Sequence, residues 1–240
     1  MRIAGARSAE QSAIRAIIGG WMMREKQCMT AVLLAGGKSS RMGYHPKQQL
    51  MLDGESFQTR ILKQLQGFGE IAISRRKENE ENAEDMPYPL WQDQIPDLGP
   101  LGGISSCLQR AAYETVFFVA CDYPMMTTEC MDFLIGQMEE EDDCVIPVVN
   151  GRIHPVCAVY RKRICPVLEE QINNGELAVK KLLKRLQVHD VEMPEEYEWC
   201  FWNVNTPEEY EKLNADKHSP ASSARSTKRR VKGDAYVSGS

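Results

Sequence analysis

The chain has 240 residues, enough to bury one good-sized core. Its 42% apolar and 26% charged content is ordinary for a globular protein in water, and no run approaches the ~18 apolar residues of a membrane span. A net charge of −5 excludes a general nucleic-acid binder, which needs a basic face, but not a small anion held by a local cluster of cations.

Residues 1–28 read as an N-terminal extension. "MRIAGARSAEQSAIRAIIGGWMM" carries cations, yet Glu10 and Arg15 interrupt its apolar part, so it makes a poor signal peptide. A disordered arm and a short amphipathic helix both fit, and Met22, Met23 and Met29 leave a later start open. Residues 30–34 read as a buried strand. Phe57, Ile61, Leu62 and Leu65 recur at helical spacing until Gly67 and Gly69 stop them. "EIAIS" (70–74) and "PLWQD" (89–93) are predicted strands around a polar, acidic loop. Residues 99–112 read as a helix opened by Gly-Pro, and "TVFFVACD" (115–122) is the clearest strand. A helix is predicted over 127–140. "CVIPVV" and "PVCAVYR" are strands flanking the turn at Asn150-Gly151. Two helices, 164–172 and 176–186, surround Asn173-Asn174-Gly175. "EWCFWNVN" reads as a last strand, and Thr206 caps a final helix with Glu208 and Glu209 in its first turn. From Asp216 onward the chain is rich in Ser, Lys and Arg with almost no apolar content, and reads as a disordered tail, 216–240.

Strands alternating with helices predict an α/β fold with a mostly parallel central sheet covered on both faces. Ligands of such sheets sit beyond the carboxyl ends of the strands. The eight cysteines form no C-x-x-C pair and no zinc-like spacing, and read as reduced, structural thiols of a cytosolic protein.

The stretch "AVLLAGGKSSRMGYHPKQQL" (31–50) empties an apolar run into Ala35-Gly36-Gly37. A turn without side-chain bulk lets a ligand approach the main chain, and its N–H groups suit phosphate oxygens. Arg41 and Lys47 add the charge a polyphosphate needs. Neither a Walker loop nor a dinucleotide fingerprint is present. Asp122 ends the strongest strand, where a carboxylate facing phosphates partners Mg²⁺; a turn aspartate is the plainer alternative. Asp93 likewise ends a strand, and its alternative is turn chemistry. His154 stands alone after Asn150-Gly151, with a structural role equally open. Asn203 and Asn205, two apart in an extended segment, face the same side. Glycines, cations, carboxylates and amides suit phosphoryl transfer by positioning and charge neutralisation, and no nucleophile for covalent catalysis stands out.

"LLAGGKSSRMG…K", "DLGPLGGI", "ACDYP", "RIHPVCAVY" and "NVNTPEEY" occur in the order found in the molybdenum cofactor guanylyltransferases, which this chain resembles over residues 30–213. The resemblance implies a Rossmann-like three-layer sandwich with a single nucleotidyltransferase domain, 29–215. It implies transfer of GMP from GTP to molybdopterin with Mg²⁺, in the cytoplasm, with molybdoenzymes or cofactor-delivery proteins as recipients. Leu34, Ala35, Gly36 and Gly37 look like the nucleotide loop, Lys47 like its phosphate-binding lysine, and Asp93 like a nucleotide contact. Asp122 looks like the Mg²⁺ ligand, Asn203 and Asn205 like the acceptor-side pair, with Asn205 reaching the metal, and His154 falls on the acceptor side. Two departures stand out. Pro46 precedes Lys47 where the family often has Asp, and Ser74 replaces an asparagine that often follows the second strand. Both leave CTP, or a sugar-phosphate acceptor, as alternatives to GTP and molybdopterin. A nucleotide-binding regulatory protein without catalysis is the alternative of another class.

Overall fold

A computed structural model describes residues 24–36, 49–75, 87–92 and 98–217. The expectations for the far N-terminal arm, the polar loop after 75 and the tail beyond 217 therefore lie outside the described residues.

Strand β1, Met29–Leu34, is buried up to Leu33 and is an inner strand of an eight-stranded sheet. A small hairpin, β2 (Met51–Leu52) with β3 (Glu55–Ser56), leads into helix α1, Phe57–Gln64. Ser56 caps that helix, its Oγ accepting from the Thr59 N–H at 3.1 Å. Next come β4 (Glu70–Arg75), β5 (Leu90–Gln92), α2 (Gly99–Arg110), β6 (Thr115–Ala120) and α3 (Thr128–Ile135). The chain continues through β7 (Cys144–Val149), β8 (Arg152–Ile153), β9 (Cys157–Arg161), α4 (Cys165–Asn173), α5 (Val179–Leu183) and β10 (Val188–Glu192), and the last described element is α6 (Pro207–Lys217).

The spatial order is β10-β7-β9-β6-β1-β4-β5, with β8 on β7. The β1–β4, β1–β6, β4–β5 and β7–β10 pairs are parallel, whereas β9 runs antiparallel between β6 and β7. The expected α/β sandwich with a mostly parallel sheet is therefore present. Successive residues of a strand point to opposite faces, so each inner strand feeds two cores. Ala31, Leu33, Ile73, Phe117 and Val119 meet Ile61 of α1, Leu65 just past its end, and Met131 and Leu134 of α3. Val32, Val116, Phe118 and Tyr160 meet Leu101, Ile104 and Leu108 of α2, Leu168 of α4 and Leu182 of α5. Each fully buried aromatic or leucine contributes about 1.5–3 kcal/mol relative to exposure. None of the eight cysteines is in a disulfide, and six of them are buried, as small hydrophobes are.

Several expectations are corrected. "EWCFWNVN" is not a strand. Residues Glu195–Phe201 wind into 3-10 turns, and 202–205 are extended but outside the ladder. Pro194 starts the turns and three glutamates crowd their first turn, both of which favour helical geometry. The aromatic residues bury themselves by ring contact instead, with Trp199 and Trp202 centroids 5.0 Å apart. The true last strand, β10, went unread because it is an edge strand with two acids and a histidine among its five residues. Helix α3 stops at Gly136 rather than reaching 140, and α5 is shorter than the predicted 176–186. Asn150 and Gly151 do form a two-residue turn, both with positive φ (50° and 71°), joining β7 to β8.

Residues 24–28, expected as part of the extension, pack onto the body. Lys26 is buried, its Nζ 2.7 Å from Asp132 and 5.6 Å from the Phe68 ring centre. The Gly69 N–H donates to the Lys26 carbonyl at 2.9 Å.

Candidate functional site

The chain leaves β1 toward β4 on one side and returns through β6 on the other, so the switch point of the sheet is the carboxyl end of β1. In register, Leu34 lies between Ser74 of β4 and Ala120 of β6. The Ala35 N–H donates to the Ser74 carbonyl at 2.8 Å, and the Cys121 N–H donates to the Leu34 carbonyl at 3.0 Å. These bonds hold Ala35 and Gly36 at the top of the strand. Ala35 is buried, while Leu34 and Gly36 are half-buried. Gly37, Arg41, Lys47 and Asp93, all singled out from the sequence, lie outside the described residues.

Asp122 follows β6 in a tight turn, with the Tyr123 N–H bonded to the Ala120 carbonyl at 3.2 Å. The Asp122 carbonyl accepts the Val204 N–H at 2.9 Å, which draws the extended segment 202–205 alongside it. The two asparagines meet here: Asn205 Nδ2 donates to Asn203 Oδ1 at 2.6 Å. A capping box fixes the backbone just beyond. Glu209 accepts from the Asn205 N–H at 2.6 Å and the Thr206 N–H at 3.1 Å, and Thr206 Oγ1 accepts from the Glu209 N–H at 3.3 Å. Glu209 is thus more than a dipole-compensating charge.

Tyr123 links this group to His154, and sequence reasoning gave it no role. Its hydroxyl lies 3.1 Å from His154 Nδ1, and the Asn203 side chain is close enough to act on it. The ring stacks edge-on against Phe201 and His154. Burial, then the neighbouring Asp122 charge, pushes the Tyr123 pKa upward, so the phenol stays neutral. Burial, then Arg152, holds the His154 imidazole below its ordinary pKa. His154 sits where the chain leaves the ladder between β8 and β9, its N–H bonded to the Pro147 carbonyl at 3.0 Å. The structure therefore joins Asp122, Asn203, Asn205 and His154, with Tyr123 as the connecting residue. The only sequence signal for Tyr123 was its place directly after Asp122.

Arg75, at the end of β4, was also passed over in favour of Ser74. Its side chain is buried and Nη2 donates to Gln58 Oε1 at 2.9 Å. The adjacent arginines of "ISRRKE" were the available signal. Arg60 ties α1 to the far side of the edge, donating to the Pro124 and Leu52 carbonyls at 3.4 Å each.

Among the described residues, no three His, Cys, Asp or Glu side chains are grouped to hold a metal. One carboxylate beside an amide still fits Mg²⁺, which binds through one or two carboxylates, keeps several waters and takes the rest of its oxygens from substrate phosphates. Asp122 and the Oδ1 of Asn205, whose nitrogen is turned to Asn203, are the donors of that kind here. No helix among the described residues is long and apolar enough to cross a membrane.

An open, mainly parallel sheet whose switch-point edge collects Gly36, a carboxylate and paired amides belongs to the doubly wound α/β class, which binds ligands at that edge. Residues 31–191 match the MobA-like NTP transferase domain. A probable molybdenum cofactor guanylyltransferase of Clostridium perfringens strain 13 is 32% identical over 194 residues, covering 77% of this chain and 95% of that protein. One of the same description from Bacillus licheniformis is 33% identical over 186 residues, covering 76% and 94%. The crystal structure of molybdopterin-guanine dinucleotide biosynthesis protein A from Archaeoglobus fulgidus superposes with a TM-score of 0.69 at 22% identity, over 78% of this chain and 97% of that one. The chain belongs to the MobA-like NTP transferase family, a family of nucleotidyltransferases.

Proposed function

We propose that this protein transfers GMP from GTP to the terminal phosphate of molybdopterin and releases pyrophosphate. The observation that carries this reading is the convergence of Leu34 to Gly36, Ser74, Asp122 and the Asn203–Asn205 pair on one edge of the sheet. The reading is supported by relatives named molybdenum cofactor guanylyltransferase.

The nucleotide lies over the β1 end, where Gly36 admits phosphates to the main chain and Ser74 lines the flank. Gly37, Lys47, Arg41 and Asp93 are assigned to that side from the sequence. The acceptor lies across β6, against Asn203, Asn205 and the Tyr123–His154 pair. The acceptor is a phosphate monoester with a second pKa of about 6, so at neutral pH it is largely a dianion. Its oxygen attacks the α-phosphorus without a general base. The bond from the α-phosphorus to the bridging oxygen breaks, and pyrophosphate leaves with the electron pair. Lys47 and Arg41 offset the charge that develops on it. Mg²⁺, when bound by Asp122 and Asn205, supplies positive charge to the α- and β-phosphate oxygens. The reduced thiols fit a cytoplasmic enzyme, which would pass its product to a molybdoenzyme or a delivery protein.

The test is pyrophosphate release by the full chain with Mg²⁺ and molybdopterin, GTP against CTP. GTP should support turnover and CTP far less. A preference for CTP would reassign the donor, turnover only with a sugar phosphate would reassign the acceptor, and nucleotide binding without turnover would leave a regulatory protein.

A further inference from the structure

Arg75 is a buried cation with no counter-charge among the described residues. Its relative exposure is 8%, and it is the last residue of β4, two positions beyond the core residue Ile73 and so on the same face as α1. Its described hydrogen bond runs from Nη2 to the neutral amide of Gln58, in the first turn of α1. Nε is sealed from solvent and makes no hydrogen bond. No carboxylate among the described residues pairs with it, and Cys121 is the ionisable neighbour that acts on it. A guanidinium does not shed its proton to escape this setting. An unpaired buried charge weakens the fold, and such groups are kept where a ligand completes them.

The ligand is an anion at the β1 end. Ser74 bonds through its carbonyl to Ala35, so Arg75 stands next to the main chain that leads into Gly36. Asn203 and Asn205 lie beyond β6, on the other side of β1. The side of the edge that Arg75 occupies is thus the donor nucleotide's and not the acceptor's.

We propose that Arg75 binds the polyphosphate of the donor nucleotide, which supplies a counter-charge that the described residues do not. This rests on the reading of the edge as a nucleotidyltransferase site. One charge-assisted hydrogen bond changes affinity by about ten- to a hundredfold.

The experiment compares wild type, Arg75→Gln and Arg75→Lys by calorimetric titration with inorganic pyrophosphate, GTP and guanosine, and by thermal melting without ligand. Arg75→Gln should bind pyrophosphate and GTP about ten- to a hundredfold more weakly and guanosine unchanged. Arg75→Lys, which keeps the charge but loses the fork, should fall between. Unliganded Arg75→Gln should melt at or above the wild type, because a buried charge has been removed. Pyrophosphate binding unchanged in both variants would overturn the proposal. So would an Arg75→Gln protein that melts well below wild type or fails to fold, because Arg75 would then be a structural strut. In the transfer assay, KM for GTP should rise while KM for molybdopterin holds, and the reverse would move Arg75 to the acceptor. If wild type binds pyrophosphate through Arg75 yet never releases it from GTP, the function proposed above fails while this assignment stands.

Discussion

Tyr123→Phe isolates one atom of the edge. The substitution keeps the ring, and with it the contacts to Phe201 and His154 at centroid distances of 6.3 and 5.7 Å. What goes is a hydroxyl that holds His154 Nδ1 at 3.1 Å and lies near the Asn203 side chain. Removing it leaves the partly buried His154 ring one partner short, a loss of about 0.5–1.5 kcal/mol, the net contribution of one hydrogen bond. For a chain of this length the melting temperature should fall by roughly 1–6 °C. The acceptor side loses the polar atom between His154 and Asn203, so kcat/KM for molybdopterin should drop about three- to tenfold, with KM for GTP unchanged. Scanning calorimetry and steady-state pyrophosphate release read the two effects. A double-mutant cycle with His154→Ala should give a coupling of about 0.5–1.5 kcal/mol. A Tyr123→Phe protein that melts with the wild type and uses molybdopterin normally would refute the reasoning. His154 adds a pH signature. Its folded pKa is depressed, so the unfolded chain takes up the proton first. The stability it contributes is present above the unfolded value of about 6.5 and is lost as pH falls toward the folded one. His154→Ala should flatten that acid decline.

Asp122→Ala should abolish Mg²⁺-dependent transfer while the protein melts near the wild-type temperature, because Asp122 lies in a turn at a strand end; normal rates would remove it as metal ligand. Lys47→Ala should lower kcat/KM about ten- to a hundredfold by equal factors for GTP and CTP, since a phosphate contact does not read the base; a loss confined to GTP would show that it does. Gly69→Ala should destabilise by about 1–3 kcal/mol in thermal melts, because its methyl would fall 2.1 Å from the Gln27 carbonyl oxygen and 2.7 Å from the Tyr113 hydroxyl. Displacing residues 24–28 would also cost the buried Lys26–Asp132 contact, so an unchanged melt would mean that this segment is not docked.

The central strands and the helices packed on them were legible because apolar period and cap residues act locally: residues 30–34, 70–74 and 115–122 declare themselves by apolar runs that the fold buries, and Thr206 by its hydroxyl. Leu34 to Gly36, Asp122, His154, Asn203 and Asn205 were nameable from residue type and motif order. What the sequence could not decide is which residues answer one another across the sheet. An aromatic run such as 199–202 satisfies burial equally as a strand or as turns stacked on Tyr123 and His154, and only the partner surface chooses. An edge strand such as β10 carries charges because half of it faces water, so its composition hides it. Tyr123 gains a role through His154, 31 residues away, and Arg75 through the amide of Gln58 and an Nε that makes no hydrogen bond. Hydrogen-bond partners and buried-charge balance are set by through-space distance, which no local pattern encodes. The tertiary structure therefore decided how the named residues are joined, and it added the two that the sequence had left as ordinary.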